Sequence, residues 1–578
     1  MSKLEYTKRF ENLNEKQKEA VEHIYGPLLV VAGPGSGKTE LLSLRVANIL
    51  QKTDMPASGI LCLTFTDSAA INMRQRLAGL IGHEAYRVAV HTFHNFGVEI
   101  INRHPEFFYN AATFMPADEL MQVEILRGIF NNLSYKDPLK KEHPEQGYSY
   151  MYHVQRAIGN LKKAGITPDE FLEIIKHNEK ELEQLNVSAN KIFGERVSKK
   201  VFGEIKKFVE ELYEVEPRID FPVENFGPIH LGLGRSLENV LADCEAEDWS
   251  TKPVSEWKKD WIAKHENGAH VLKDYNYIDK LKSLAGIYKE YTEWMHKRGY
   301  YDFDDMLLDT IQEVKRNSIL RSELQEQYQF VLVDEFQDTN DAQMRLLELL
   351  FDPSDEQPNV MAVGDDDQAI YKFQGAELSN ILKFTQRYKA KIINLVHNYR
   401  STQEILDFAK SVIRKGKERL EGKFKEINKD LVASGKRGPG QIHFKSFDTN
   451  IHEYYWIARE IKKLVTGGAS PESIAVISRQ HKMLQDIVSF FHQVNVPVAY
   501  ERQRNVLEEP HIVQIIQIAR YINSLMDKKS PADDLLPEIL SYPFWGLDRI
   551  DIWKLSLVAG KEYKSCIEAM LECGNPNL

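Results

Sequence analysis

The sequence predicts an α/β fold of the phosphate-loop hydrolase class, a parallel sheet interrupted by large helical insertions. Three strand-ending polar clusters predict it. Ala32-Gly33-Pro34-Gly35-Ser36-Gly37-Lys38-Thr39 follows the apolar run that begins at Leu28. Its glycines let backbone N–H groups close around phosphate oxygens. Val333-Asp334-Glu335-Phe336-Gln337-Asp338 ends the run Phe330-Val331-Leu332 with a carboxylate pair. Gly364-Asp365-Asp366-Asp367-Gln368-Ala369-Ile370-Tyr371 ends a third apolar run, Val360 to Val363, in a polar turn. In this order the clusters specify nucleotide hydrolysis. Lys38 would reach the β- and γ-phosphates, and the Thr39 hydroxyl and Asp334 would hold Mg²⁺. Glu335 would orient or deprotonate the attacking water, and the third turn would sense the γ-phosphate.

Each element follows in order. Leu28 to Val31 reads as a short buried strand, followed by an apolar-faced helix through Leu50. Ile60 to Thr64 reads as a second strand and Ala69 to Leu80 as a second helix. This alternation implies a parallel sheet with phosphate at the strand C-terminal ends. From about 104 to 295 the text is mostly helical, charged and rich in Lys and Glu. Roughly 300 residues separate Lys38 from Asp334, whereas a compact domain holds about 100 to 200, so a domain-sized insert lies between them. Strand signals return at Phe330 to Asp334 and Val360 to Asp365. After the Gly/Pro-rich break Gly435 to Gly440, Gln441 to Phe447 and Ser473 to Ser478 read as strands of a second α/β unit starting near 383. Beyond about 525 the sequence is helical again.

Composition fits a large soluble intracellular enzyme. At 578 residues the length allows about three or four domains. Cys62, Cys244, Cys566 and Cys573 are too few and too scattered for a disulfide framework or a zinc site, and read as reduced thiols of a cytoplasmic protein. No signal region and no 18-residue uncharged apolar run is present, so no membrane is expected. The net charge of −11 excludes a generally basic coat and leaves room for a local nucleic-acid groove. The pairs Lys162-Lys163, Lys199-Lys200 and Lys206-Lys207 lie in amphipathic stretches and read as solvated faces. Asp302, Asp304, Asp305 and Asp309 suggest a metal in isolation, and in context read as a tether at a domain junction.

Further segments carry a resemblance. Leu13-Asn14-Glu15-Lys16-Gln17 precedes the phosphate loop, and Thr64-Phe65-Thr66 and His91-Thr92-Phe93-His94 end the next two strand-like runs. Asp302 to Leu307 and Asn398-Tyr399-Arg400-Ser401 complete the set. In this order they resemble the UvrD/Rep/PcrA group of superfamily-one DNA helicases over about residues 10 to 525. The resemblance implies RecA-like parallel-sheet motor domains with helical insertions. It divides the chain into a first motor domain (1–103 and 296–382), a helical insert (104–295), a partial second motor domain (383–525) and the start of a second insert (526–578).

It also implies roles. Gln17 would read adenine, and Ala32, Gly33, Pro34, Gly35, Ser36, Gly37, Lys38, Thr39 and Glu40 would surround ATP. Gln368 and Arg400 would join Lys38, Asp334 and Glu335 around the γ-phosphate, the arginine fork matching phosphate oxygens. Phe65, Thr66, Thr92, Phe93, His94, Tyr371 and Phe373 would line single-stranded DNA, where aromatic stacking grips without reading sequence. The implied activity is an ATP- and Mg²⁺-dependent helicase moving 3′-to-5′ on single-stranded and junction DNA, as a monomer, in repair or recombination. Two departures stand out. The third turn continues Phe373-Gln374-Gly375-Ala376 where the family has Trp-Arg-Gly-Ala, and the segments resembling motifs V and VI are not found. The alternative reading is therefore a truncated ATP- and DNA-binding module without productive unwinding. It would need a missing C-terminal part or a partner subunit, a helicase–nuclease arrangement included.

Overall fold

The computed structural model describes residues 3–108, 114–143, 147–194, 197, 201–214, 229–265, 268–351, 357–370, 379–416, 419–421, 424, 427–435, 438–500, 509–526, 534–562 and 564–572. Six short strands form its main sheet: β1 (Leu28–Ala32), β2 (Ile60–Thr64), β3 (Ala89–Thr92), β4 (Phe330–Val333), β5 (Val360–Gly364) and β6 (Lys391–Leu395). All pair in parallel, in the order β6-β1-β5-β4-β2-β3. β1, β2, β4 and β5 are buried at every position. Covered faces on both sides explain why these strands read as continuous apolar runs rather than alternating ones. Leu29, Val31, Leu61, Leu63, Val331 and Val333 pack into one core, and Leu28, Val30, Cys62, Leu332, Met361 and Val363 into a second. Successive side chains thus leave opposite faces of the sheet.

β4 and β5 insert between β1 and β2 although roughly 300 residues precede them, so the two stretches flanking the insert fold as one sheet. β6 belongs there too, beside β1. That corrects the expected second-unit start near 383: the chain leaves this sheet only after Leu395. The helix expected from Ala69 begins at Asp67, because the Thr66 side chain accepts from the Ala69 N–H and caps it. Gln441 to Phe447 and Ser473 to Ser478 join no ladder among the described residues, which corrects their reading as strands. Alternation survives at 474–478, where Ile477 is 91% exposed, and Phe444 is 94% exposed. Apolar patterning makes a strand only when a neighbouring backbone supplies the ladder.

The insert is helical, as expected. Glu119–Asn132, Met151–Lys163 and Ile278–Lys297 share one core, and Pro168–Phe193, Val201–Glu214, Ile229–Ala246 and Lys252–Trp261 gather around another. Met115–Pro116 pairs with Tyr300–Tyr301 where the chain enters and leaves. Lys162, read from sequence as solvated, is instead buried beneath Asp302 and Asp305, its Nζ 2.5 Å from a carboxylate oxygen of each. The expected aspartate tether is thus an ion cluster. Lys206 is exposed, and Lys199-Lys200 lies outside the described residues. No group of three or more His, Cys, Asp or Glu able to hold a metal occurs among the described residues.

The chain divides into units 1–442 and 443–578. In the second, helices Asn450–Thr466 and His481–Gln493 pack through Tyr454, Ala458, Ile487 and Phe491. Pro510–Met526, Leu535–Leu540 and Arg549–Glu562 enclose Tyr521, Leu536 and Leu555. No described helix is long and apolar enough to cross a membrane.

Candidate nucleotide and nucleic-acid site

β1 delivers the chain to the loop Gly33–Gly37, which turns into the helix Lys38–Lys52. Gly35 (φ +66°) and Gly37 (φ +84°) adopt left-handed backbone that favours glycine. Gly37 is the N-cap and offers no side-chain acceptor, so the first-turn N–H groups stay available to an anion. Ser36 Oγ donates to the Gly33 carbonyl at 2.7 Å, folding the loop on itself. Behind it, buried Gln17 donates through Nε2 to the Ser36 carbonyl (2.9 Å) and accepts the Asn14 N–H (3.0 Å). Gln17 therefore braces the loop. The Glu40 carboxylate accepts from Arg76 (3.1 Å) and Arg9 (3.4 Å), so its side chain serves helix packing rather than the loop.

β4 ends in the carboxylates. Asp334 is buried, and burial, with Glu335 beside it and against the pull of Lys38, pushes its carboxyl up to about 6. Asp338 is pushed up to about 6 by burial and Glu335 in the same way. Glu335 takes left-handed backbone (φ +48°), an uncommon state for a residue with a side chain, often found at functional sites. Its Oε2 lies 2.7 Å from Lys38 Nζ and accepts Gln337 Nε2 at 2.9 Å. Gln337 Oε1 accepts the Asp365 N–H at 2.9 Å, knitting the ends of β4 and β5 together. A Cβ on Gly364 would stand 2.7 Å from that oxygen, which explains the glycine. Gln368 Nε2 donates to Asp365 Oδ2 at 2.7 Å.

Asn398, Tyr399 and Arg400 lie directly on the loop. Asn398 Nδ2 donates to the Pro34 carbonyl, while its Oδ1 accepts the Arg400 (2.9 Å) and Ser401 (2.7 Å) N–H groups. The Tyr399 N–H donates to the Gly35 carbonyl (2.9 Å), and its hydroxyl accepts from Asn14 Nδ2 (3.0 Å). The Tyr399 ring is 42% exposed. The Arg400 side chain is exposed, and among the described residues its guanidinium holds no partner. One cleft thus gathers Gly33–Lys38, Asp334, Glu335, Gln368 and Arg400. Free helix N–H groups, a lysine, a buried carboxylate and a free guanidinium fit a Mg²⁺-bound triphosphate. Sequence reasoning gave no role to Gln337, Asn398 or Tyr399. Each lay inside a segment singled out in the sequence, Val333–Asp338 or Asn398–Ser401, without a role of its own.

The expected DNA contacts divide. β2 and β3 are neighbours, so the helices Asp67–Ile81 and Phe93–Arg103 begin along one sheet edge. Thr66 and Thr92 cap them by accepting the Ala69 and Asn95 N–H groups. Asn95 Nδ2 donates to Asp67 Oδ1 at 2.8 Å, tying the two starts together. Phe65 is partly buried at the end of β2. Phe93 is only 2% exposed and fills the core under the sheet, which corrects its assignment to DNA: a ring with no free face cannot stack on a base. His94 stacks on Phe303 at 4.0 Å with Asp304 3.8 Å away. Tyr371 and Phe373 lie outside the described residues.

Comparison with known proteins adds the lineage. The UvrD/REP helicase N-terminal domain family matches residues 13–389, and the UvrD-like helicase C-terminal domain family matches 393–554. The chain belongs to the UvrD-like helicase family. The ATP-dependent DNA helicase PcrA of Staphylococcus epidermidis is 26% identical over 562 residues, covering 97% of this chain and 60% of that protein. The Staphylococcus aureus PcrA is 26% identical over 565 residues, with the same shares covered. This UvrD-like chain thus spans 60% of the length of these relatives. Both family segments contribute to the cleft: Lys38, Glu335 and Gln368 come from the first, and Asn398–Arg400 from the second.

Proposed function

We propose that this UvrD-like chain hydrolyses ATP to translocate 3′-to-5′ on single-stranded DNA and open duplex, in DNA repair or recombination. The observation that carries the reading is the meeting, on one phosphate loop, of Glu335 from the first family segment and Asn398–Arg400 from the second. A loop shared in this way makes nucleotide state and segment position one variable.

In this mechanism the incoming phosphates draw Lys38 away from Glu335. The released Glu335 carboxylate then orients the attacking water and accepts its proton. Thr39 and Asp334 would hold Mg²⁺, which would supply positive charge to offset the phosphate oxygens. Gln368 and Arg400 grip the γ-phosphate from two sides, so its loss after hydrolysis releases the Arg400 segment. On the base side, the exposed Tyr399 ring offers a stacking platform next to Gln17. The capped helix starts at Asp67 and Phe93 hold DNA phosphates through backbone N–H groups, with Phe65 stacking on a base. Tyr371 and Phe373 extend that track by family resemblance.

A second reading rests on the unladdered segments 441–447 and 473–478. Under it the chain binds ATP and DNA but unwinds only when a further segment or partner subunit completes that region. One experiment separates the two. ATP turnover is measured with and without single-stranded DNA, beside Glu335→Gln. Duplexes carrying a 3′ or a 5′ tail follow. DNA-stimulated turnover, reduced about 100-fold or more in Glu335→Gln, with unwinding of the 3′-tailed duplex alone, is the expected result. Binding of ATP and DNA without turnover favours the second reading.

A further inference from the structure

The turn after β5 places three carboxylates in succession, Asp365, Asp366 and Asp367, and the first two are 3% and 5% exposed. Buried like charges need compensation. It arrives from more than fifty residues downstream. Lys429, itself 8% exposed, pairs with Asp365 and with Asp366 Oδ1 (2.5 Å) and stands 3.9 Å from Asp367. Burial works against its charge, and Asp365 and Asp366 outweigh burial, leaving Lys429 more firmly protonated than usual. Arg419 clamps Asp367 with both arms of its fork, Nε and Nη2 each at 2.8 Å. The Leu420 N–H donates to Asp366 Oδ2 at 2.8 Å.

Asp365 also belongs to the nucleotide cleft. Its Oδ1 accepts Lys429, its Oδ2 accepts Gln368, and its N–H donates to Gln337. Gln337 donates in turn to the same Glu335 oxygen that holds Lys38. Polar contacts therefore run unbroken from Lys38 through Glu335, Gln337 and Asp365 to Lys429. Beside this run lies a mostly apolar cavity of about 420 Å³, bounded by Pro34, Gln368, Phe408, Arg419, Lys429 and Leu431.

We propose that Lys429, supported by Arg419, is a positioning residue: it holds Asp365 so that Gln368 faces the γ-phosphate, and it links the nucleotide cleft to Arg419 and Leu420. This rests on the nucleotide reading above. Because only Gln368 is being aimed, its loss affects triphosphate and spares diphosphate.

The test measures affinities of the whole chain for Mg²⁺–AMP-PNP and Mg²⁺–ADP, by displacement of a fluorescent ADP analogue. Wild type, Lys429→Met and Arg419→Gln are compared, each checked by thermal melting. Lys429→Met is expected to lower the AMP-PNP-to-ADP affinity ratio about tenfold, within the usual range of coupling between sites. Arg419→Gln is expected to lower it by a smaller factor. An unchanged ratio, or equal weakening of both nucleotides, overturns the proposal. If Lys429→Met does not fold, the Arg419→Gln ratio decides, and no change there is fatal. Wild type that binds neither nucleotide defeats the underlying nucleotide reading as well. That outcome differs visibly from wild type that binds both while the variants keep its ratio.

Discussion

Lys162 and Lys429 each neutralise buried aspartates, yet their surroundings differ. Lys162 sits at the root of the helical insert, bonded to Asp302 and Asp305 and packed 4.9 Å from the Tyr291 ring. Burial opposes both charges there, and Lys162 overcomes it at Asp302, whose carboxyl titrates below its usual range. Asp302 and Asp305 also form a capping box that starts the helix Phe303–Arg316. Among the described residues those bonds extend only to the Tyr291 hydroxyl and reach no part of the nucleotide cleft. Lys429 meets carboxylates that have other obligations, since Asp365 also serves Gln368 and Gln337. A closed ion cluster fixes a junction. A shared one can transmit.

The largest effect should come from breaking the closed cluster. Lys162→Met strands the buried Asp302 carboxylate, while Asp305, which burial already pushes up to about 7, can take a proton. The change should cost about 3–5 kcal/mol of stability in urea unfolding. Adding Asp302→Asn and Asp305→Asn should recover most of it, and the AMP-PNP-to-ADP ratio should not move. If that ratio does fall, the two lysines are not distinct and the comparison fails.

Asp334→Asn sharpens the cleft side. Its carboxyl is raised from 3.8 to about 6, so the fold favours the protonated form and ionisation costs stability. The asparagine variant should therefore be more stable than wild type by about 1–3 kcal/mol at pH 7. The gain should be full above about pH 6 and fade as pH falls toward 4, while Mg²⁺-dependent nucleotide affinity drops. Thermal melts at pH 4.5 and 7 check the sign. A destabilised variant at pH 7 would refute the burial account.

Gln337→Ala interrupts the run between Lys38 and Lys429. It leaves the Asp365 N–H unpaired, should cost about 1–3 kcal/mol, and should lower the AMP-PNP-to-ADP ratio as Lys429→Met does. A stability loss without a change of ratio would confine Gln337 to a structural role. The smallest effect is expected from Tyr399→Phe. That change removes the Asn14 bond, about 1 kcal/mol or less, and keeps the ring. Nucleotide affinity should hold for Phe and fall for Tyr399→Ala, and equal losses would remove the ring from the base side.

Much of this site was legible in the sequence because its chemistry is local. The loop Gly33–Thr39 needs left-handed backbone at Gly35 and Gly37 followed by a lysine, and those requirements fall on consecutive residues. Asp334 and Glu335 end a buried strand, so they stand next to each other in text and in space. The DNA track was less legible. Phe65 and Phe93 both follow apolar strands, but Phe93 enters a helix whose inner face covers the sheet, and only the packing separates the two. His94 likewise gains Phe303 and Asp304, neighbours that no nearby residue announces.

The sequence by itself determined the parallel-sheet class, the phosphate loop, the acidic pair and the presence of a domain-sized insert. Each depends on residue order within a few turns of chain or on a distance counted along it. Tertiary structure alone decided that β6 completes the first sheet, that 441–447 and 473–478 form no ladder among the described residues, that Lys162 is buried, and that Lys429 reaches Asp365. Backbone pairing and the neutralisation of buried charge are satisfied by partners far away in sequence. A lysine reads the same on a wet face or beneath two aspartates until the fold brings those aspartates to it.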